Sequence, residues 1–512
     1  MSSLPLLSLL VFLPWVGAAA LALLPRMPEN LQRRLALAAS LSTLAFTLAL
    51  LDGFNPARTA PQFVERHAWI GAFNVHYHLG LDGLSLILVL LTGLVAPAAL
   101  CAGFRSIRGE RGFAAFFLTL QGAAIGVFLA LDFFHWFIFW ELSLIPAYFL
   151  IKIWGGPGAT RAAYQFVIYT IGGSSFMLLG FASLFHAAGT FDFQQLAQLG
   201  ANGSLARKLG GDGSWWPQAV FLGVLLGLAV KVPLWPFHTW LPPAYAEAPA
   251  GASMFLTGVM SKMGVYGFLR ILWPIFPREL QAAAPWLMIL ALGGVVLGAW
   301  AAMRQTDLKR MVAYSSVNHL SYCLLALFAV AQANRGAGAA SESATAALGG
   351  ILLQMFNHGI SAAALFLCVG VLEESSGGRR GVDDFGGVRT VAPFFAALTG
   401  VALFSSLGLP GLNGFIGEFL IFRGVFGLAP WAAAIAALGL LATAIFLLTF
   451  WQRVFHGPVA GATPAFKDLT LSESAPLLPA TILMVILGVY PQLLAGLINP
   501  LVTAWAGHLT PP

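Results

Sequence analysis

The sequence predicts an all-α integral membrane protein of about 14 transmembrane helices, and three observations carry that class. Apolar runs of about twenty residues, the length a helix needs to cross a hydrocarbon core, recur from one end of the chain to the other. Hydrophobic residues make up 59% of the 512 positions and charged residues only 9%. Four charged side chains nonetheless lie deep inside apolar runs: Glu141, Lys231, Lys262 and Glu418. A charge near the bilayer centre costs roughly 3 kcal/mol on insertion scales. A chain that keeps four of them pairs them, moves protons or ions with them, or does both.

The spans are expected at 4–24, 32–51, 84–104, 113–131, 134–153, 164–187, 218–240, 250–273, 284–303, 308–333, 347–372, 392–426, 430–455 and 475–499. The first run lacks a basic leading segment, so it reads as a span rather than a cleaved signal. No polar stretch is long enough for a soluble domain, and 1–512 reads as a single polytopic domain. Within it, 1–112 holds the first three spans, 113–275 a first repeat, 284–456 a second, and 457–512 the last span. The connections near 52–80 and 188–217 carry aromatics and glycines but few charges, as ordered caps do. With both termini outside, sixteen Lys and Arg fall in inner loops and seven in outer loops, the positive-inside bias.

Two spans are expected to be broken. In the seventh, Ala229-Val230-Lys231-Val232-Pro233-Leu234-Trp235-Pro236 puts two prolines just after a buried lysine. Each proline removes a backbone donor and clashes with the preceding turn. In the twelfth, Gly408, Gly411, Gly414 and Gly417 recur around Pro410, just before Glu418. Freed backbone groups at membrane depth are tolerated only in buried or wet places. The breaks are five spans apart, at matching places in spans 4–8 and 9–13, and an odd repeat length inverts the second run. Interrupted helices in an inverted repeat point to a transporter's ion path.

Glu141 stands in an aromatic and aliphatic run, where an ionised carboxyl is costly unless a cation answers it. Lys231 is the natural cation, and the pair suits a switch; a structural carboxylate tying two helices together is the alternative. Lys262, near the middle of span 8, is too deep to snorkel comfortably, whereas Arg423 near a span end reaches the headgroups. His238, His319 and His358 lie at breaks or within spans and suit a proton relay, because imidazole has two exchangeable nitrogens. Satisfied hydrogen-bond formers are the alternative for each. Asn318, Gln354 and Asn357 beside them suit bridging water or interhelical packing. Asp82 reads as an acidic helix start, and Asp307-Leu308-Lys309-Arg310 as a charge-anchored start at an inner helix end, with a coupling role as the alternative.

Other chemistries find little support. Cys101, Cys323 and Cys368 lie in apolar runs without CxxC spacing, so no iron–sulfur cluster is expected in this chain. No GxGxxG follows a strand-like run, and no nicotinamide or flavin site is expected. The net charge of +6 is scattered through loops and never forms a nucleic-acid-binding stripe.

Several segments together resemble the antiporter-like subunits of respiratory NADH–quinone oxidoreductase, the proton-pumping complex I. They are Leu81-Asp82-Gly83-Leu84-Ser85, Phe139-Trp140-Glu141-Leu142-Ser143-Leu144-Ile145-Pro146, the run from Val230 through Lys231 and His238 to Pro242, Asp307-Leu308-Lys309-Arg310, Asn357-His358-Gly359, and the run from Gly408 to Phe419. The likeness is closest to the M-type members, bacterial counterparts of mitochondrial subunit 4, because an acid, Glu418, stands in span 12 and no long lateral helix follows span 14. One departure is Pro242-Pro243-Ala244-Tyr245-Ala246-Glu247, where such subunits usually carry an acid and a histidine after the first proline.

The resemblance implies that Glu141 and Lys231 form the functional pair, that Lys262 is the central carrier, and that Glu418 is the exit-side or linking acid. It also implies a bacterial inner membrane, L-like and N-like neighbours, and flavin and iron–sulfur clusters held by partner subunits. Quinone is then handled by the complex rather than by this chain. Subunits of multisubunit cation/proton antiporters, membrane-bound hydrogenases and inorganic-carbon uptake complexes share such a fold and are the nearest rivals. A haem protein using His319 and His358 as axial ligands and a passive helical scaffold are rivals of other classes.

Overall fold

The computed structural model describes residues 5–24, 26–107, 110–211, 214–333, 339–463 and 466–507. The chain opens with helices α1 (Leu6–Leu23) and α2 (Glu29–Gly53), then an antiparallel hairpin of β1 (Gln62–Ile70) and β2 (Val75–Leu81). Next come α3 (Gly83–Ser106), α4 (Glu110–Leu129), α5 (Phe133–Leu142), α6 (Leu144–Trp154) and α7 (Ala159–Ala188). Short helices α8 (Phe193–Ala201) and α9 (Ser204–Lys208) lead to α10 (Trp216–Lys231) and α11 (Leu241–Glu247). The following segment is helical in pieces, α12 (Ala250–Phe255), α13 (Lys262–Gly267) and α14 (Trp273–Ile275), joined by π-helical turns at Leu256–Met260 and Phe268–Leu272. Beyond them run α15 (Pro277–Met303), α16 (Leu308–Gln332) and α17 (Ala339–Ser375). Strand β3 (Phe385–Gly386) precedes α18 (Val388–Val391), α19 (Pro393–Ser406), α20 (Asn413–Leu428) and α21 (Pro430–Phe450). Strand β4 (Ala460–Gly461), α22 (Leu478–Val489) and α23 (Gln492–Gly507) complete the described chain.

Among the described residues, ten helices are long and apolar enough to cross a membrane, or eleven if α22 and α23, bent by 62°, count as one span. The sequence leads one to expect fourteen. The three that fall short of the length are 218–240, 250–273 and 392–426, which fold as shorter pieces for identifiable reasons. In the first, α10 stops at Lys231 and the prolines at 233 and 236 keep the chain non-helical until α11. In the third, Gly408 (φ +77°) and Gly411 (φ +93°) take left-handed conformations around Pro410, which part α19 from α20. The segment 250–275 stays helical but switches twice to the wider π pitch.

The bundle is built around α16 and α17, whose apolar stretches are 94% and 100% buried, against 39% and 33% for α1 and α2. Helix α15 packs along α16, α17 along α20, α7 along α10, and α1 along α4. Residues 52–80 and the described part of the second long connection, 188–211, carry secondary structure of their own. The β1–β2 hairpin covers one end of the bundle, where Leu79 bridges Ala130 and Asp132 bridges Asp192. Asp192 caps α8 by accepting from the Gln194 and Gln195 amides at 3.0 Å, and His78 Nδ1 lies 3.1 Å from its carboxylate. Burial works against the ionised Asp192, but the contacts from His78 and the Gln195 amide outweigh it and hold the carboxyl below its ordinary value.

Candidate functional site

Three of the four membrane-embedded charges stand beside a helix irregularity, and the fourth one turn inside a helix that starts from one. Glu141 precedes Ser143, where α5 gives way to α6. Lys231 is the last residue of α10, where the helix dipole favours a cation. Lys262 follows the π-turn at Leu256–Met260, and Glu418 lies just inside α20 after the glycine-rich break. Irregular backbone exposes carbonyls that a regular helix would occupy. Within the π-turn, Thr257 O accepts from Lys262 Nζ at 2.6 Å and from Ser261 Oγ at 2.7 Å.

Lys262, His358, His319 and Glu418 form a connected row across the buried middle of the bundle. Lys262 is 0% exposed, and its Nζ lies 2.9 Å from His358 Nδ1 on α17. The His358 and His319 rings are 5.1 Å apart between centroids. His319 Nδ1, on α16, lies 2.9 Å from Glu418 Oε1 on α20 but off the hydrogen-bond direction, so neither ring nitrogen has an aligned protein partner. Gln354 Nε2 donates to Glu418 Oε1 at 3.3 Å. Asn357 Nδ2 donates to the Asn413 carbonyl at 2.7 Å, which ties α17 to the first turn of α20. Gln354 Oε1 and Asn357 Oδ1 are buried without a protein partner among the described residues, the condition that bridging water relieves.

Glu141 and Lys231 face one another less directly. Each carries the other's Coulombic influence, yet Lys231 Nζ is buried with no hydrogen-bond partner among the described residues, and no ion pair within 4.0 Å joins it to Glu141. The ammonium lies over the Trp140 ring at 5.0 Å and near Phe166 at 6.0 Å, cation–π contacts that partly replace water. Trp140 Nε1 donates to Ser174 Oγ at 2.9 Å, and that hydroxyl also faces the Glu141 carboxyl. Beside Lys231 lies a small packing void, too narrow for a water-sized sphere and lined also by Tyr245, Met260 and Ser261.

His238 stands apart from this row. It lies in the break after α10, with its ring 6.4 Å from Tyr314. Asp82 acts as the helix start expected of it, accepting from the Ser85 amide at 3.0 Å, and it also binds Arg270 at 2.6 Å. Asp307 likewise caps α16 through the Arg310 amide at 3.0 Å.

A charged network at the bundle end extends the charge-anchored α16 start at Asp307 and Lys309 to Arg380, Glu247 and Glu373, which the sequence alone does not bring together. Arg380 meets Asp307 at 2.6 Å, Glu247 at 3.0 Å and Glu373 at 3.6 Å, and Lys309 meets Glu373 at 2.6 Å. Burial alone would lower the Arg380 guanidinium, but Asp307, Glu247 and Glu373 hold it above its ordinary value. Besides Asp307 and Lys309, the sequence signals Glu247, an acid beside a break in an otherwise apolar stretch. Among the described residues no group of three or more His, Cys, Asp or Glu is placed to hold a metal ion.

A polytopic helical bundle with a connected row of acid–base groups across its core defines a membrane protein of the ion-translocating class. Residues 130–445 match the family described as NADH:quinone oxidoreductase/Mrp antiporter, transmembrane. The NADH-quinone oxidoreductase subunit M of Rhodobacter capsulatus is 35% identical over 506 residues, covering 97% of this chain and 95% of the relative. The chain therefore belongs to the NADH:quinone oxidoreductase/Mrp antiporter family. A chain of respiratory complex I from Thermus thermophilus, solved with bound NADH, superposes with a TM-score of 0.84 at 29% identity, covering 99% of this chain and 100% of that one. A chain of the Mrp complex from Dietzia sp. DQ12-45-1b, at 20% identity and a TM-score of 0.81 over 99% of this chain and 100% of its own, shares the fold.

Proposed function

We propose that the chain is a proton-translocating, antiporter-like membrane-arm subunit of a bacterial NADH–quinone oxidoreductase, driven by electron transfer in partner subunits. The row Lys262–His358–His319–Glu418 carries this reading, because it supplies four adjacent groups that exchange protons where apolar packing was available. A charge change arriving from a neighbouring subunit alters the interaction between Glu141 and the unpartnered Lys231. The proton affinity of Lys262 shifts in response, and protons step through His358 and His319 to Glu418, with water at the orphaned amide oxygens. His238, offset beside Tyr314, serves as a further relay group toward the inner surface.

The same reading gives the bundle fourteen spans: the eleven helices long enough to cross, and the three broken segments 218–240, 250–273 and 392–426. Residues 113–275 and 284–456 are inverted repeats, supported by breaks at 232–240 and 407–412 in corresponding spans. Both termini face the periplasm, supported by the distribution of basic residues. L-like and N-like subunits flank the chain, flavin and iron–sulfur clusters sit in other partners, and quinone is handled elsewhere in the complex. Purification from the native membrane tests the assignment. Co-purifying flavin- and iron–sulfur-bearing subunits with NADH:quinone activity are expected; sodium- or potassium-coupled antiport by a redox-inactive complex would reject it.

A further inference from the structure

The void beside Lys231 also touches Ser261, the chain neighbour of Lys262, and its lining is chemically uneven. Phe166, Ala244, Leu256 and Met260 offer it no exchangeable proton. Trp240, also on its wall, already donates its indole N–H to the Val230 carbonyl at 2.9 Å. That leaves Lys231, Tyr245 and Ser261. The lysine is 2% exposed and without a hydrogen-bond partner among the described residues, and the other two carry hydroxyls, which both donate and accept.

Tyr245 is 2% exposed, and its hydroxyl donates to the Leu256 carbonyl at 3.0 Å, the first residue of the π-turn. The Ser261 amide donates to that same carbonyl at 3.0 Å, and the Ser261 hydroxyl lies alongside the phenol. Ser261 Oγ and Lys262 Nζ share the next carbonyl, that of Thr257. The phenol thus docks on the turn that orients Lys262 while facing the void that Lys231 faces.

We propose that Tyr245 is the proton-relaying link between Lys231 and Lys262. The inference rests on the proton-translocating reading above. In the transfer, a proton leaves the Lys231 ammonium for the Tyr245 oxygen as the phenol's own proton leaves toward Ser261 Oγ. The serine proton in turn moves to the Lys262 amine, its neighbour on the Thr257 carbonyl. Each oxygen gains one O–H bond and loses one, so the net change is one proton moved from lysine to lysine. With the phenol held on Leu256 O and the void closed to water, the link is shut; it opens when the hydroxyl turns into the void.

Tyr245→Phe keeps the ring packing against Trp240 and Phe366 and removes only the hydroxyl. Redox-linked proton uptake per assembled complex should fall at least about tenfold, the lower range of what a positioned proton-transfer group supplies. Tyr245→His, which restores an exchangeable group, should recover at least half of the wild-type rate and acquire a pH profile that follows the imidazole. Wild-type uptake by the phenylalanine variant, or the same low uptake by both variants, overturns the inference. Lys231→Met is measured in parallel. If it abolishes uptake while Tyr245→Phe does not, only the relay fails; if both pump normally, the proton-translocating reading fails with it. Should Tyr245→Phe not assemble, Ser261→Ala decides, with the same loss expected and wild-type uptake overturning the link.

Discussion

His319 Nδ1 and Glu418 Oε1 lie 2.9 Å apart, across helices α16 and α20, without a linear hydrogen bond between them. A small rotation of either the ring or the carboxyl would bring the two into hydrogen-bond alignment. Glu418 is 6% exposed and its carboxyl is also held by Gln354, so its position does not depend on its charge alone.

Glu418 should therefore need to be an acid, though not this particular acid. Glu418→Asp should retain much of the redox-linked proton transfer, and Glu418→Gln should lose most of it, because an amide does not titrate near neutral pH. Both are expected to assemble. The readout is quinone-reductase activity and proton uptake in membrane vesicles, normalised to assembled complex. Normal pumping by the glutamine variant would make Glu418 structural.

Glu141 and Lys231 interact through space rather than through an ion pair, so their coupling should be real but moderate. Glu141→Gln, Lys231→Met and the double variant form a cycle in which the coupling energy is about 0.5–3 kcal/mol for groups sharing one network. The double variant should assemble at least as well as the worse single one, since no buried charge is left without its counterpart. Pumping should be lost in all three. Strict additivity in the amount of assembled complex would remove the pair from the mechanism.

Asp82 and Arg270 are a different case, a direct buried pair with side chains 2% and 14% exposed. Asp82→Asn leaves the guanidinium buried without its counter-charge, which should cost about 3–5 kcal/mol. Thermal unfolding of the detergent-solubilised complex reads this as a lowered midpoint, whereas Asp82→Asn with Arg270→Met should recover part of it. An unchanged midpoint in the single variant would mean that water reaches the pair.

Topology is open to direct reading. Reporter fusions after Arg34 and after Arg380 should be cytoplasmic, and a fusion at the C-terminus should be external. An internal C-terminus would undo the count of fourteen and the inverted repeat together.

What the sequence disclosed follows from which free energies are large. Glu141, Lys231, Lys262 and Glu418 stood out because charge at membrane depth is costly, and the breaks around Lys231 and Glu418 stood out because proline and glycine mark them. The π-turn before Lys262 was not legible, since Leu256–Met260 contains no residue that distinguishes a wider turn from a regular one. Nor did the sequence separate His238 from His319 and His358; all three lie in or near spans, and only packing brings two of them beside Lys262. The joining of Glu247 and Arg380 to Asp307 was hidden for another reason. Charges at span ends are ordinary, and its partners lie far apart in the chain.

That last network bears on how the protein is made. Arg380 donates to the Glu247 carboxylate and the Ala246 carbonyl across more than a hundred residues, and Glu247 in turn accepts from the Gly158 amide at 2.9 Å. A ribosome releases Gly158 and Glu247 long before Arg380 emerges, so the early half of the bundle waits in the bilayer with an uncompensated acid at one end. Sealing of that end is then a late event in biogenesis, completed only when the loop after α17 arrives. A nascent chain arrested before position 380 should remain open there and be preferentially cleared by membrane proteases, even though every span up to that point has been inserted.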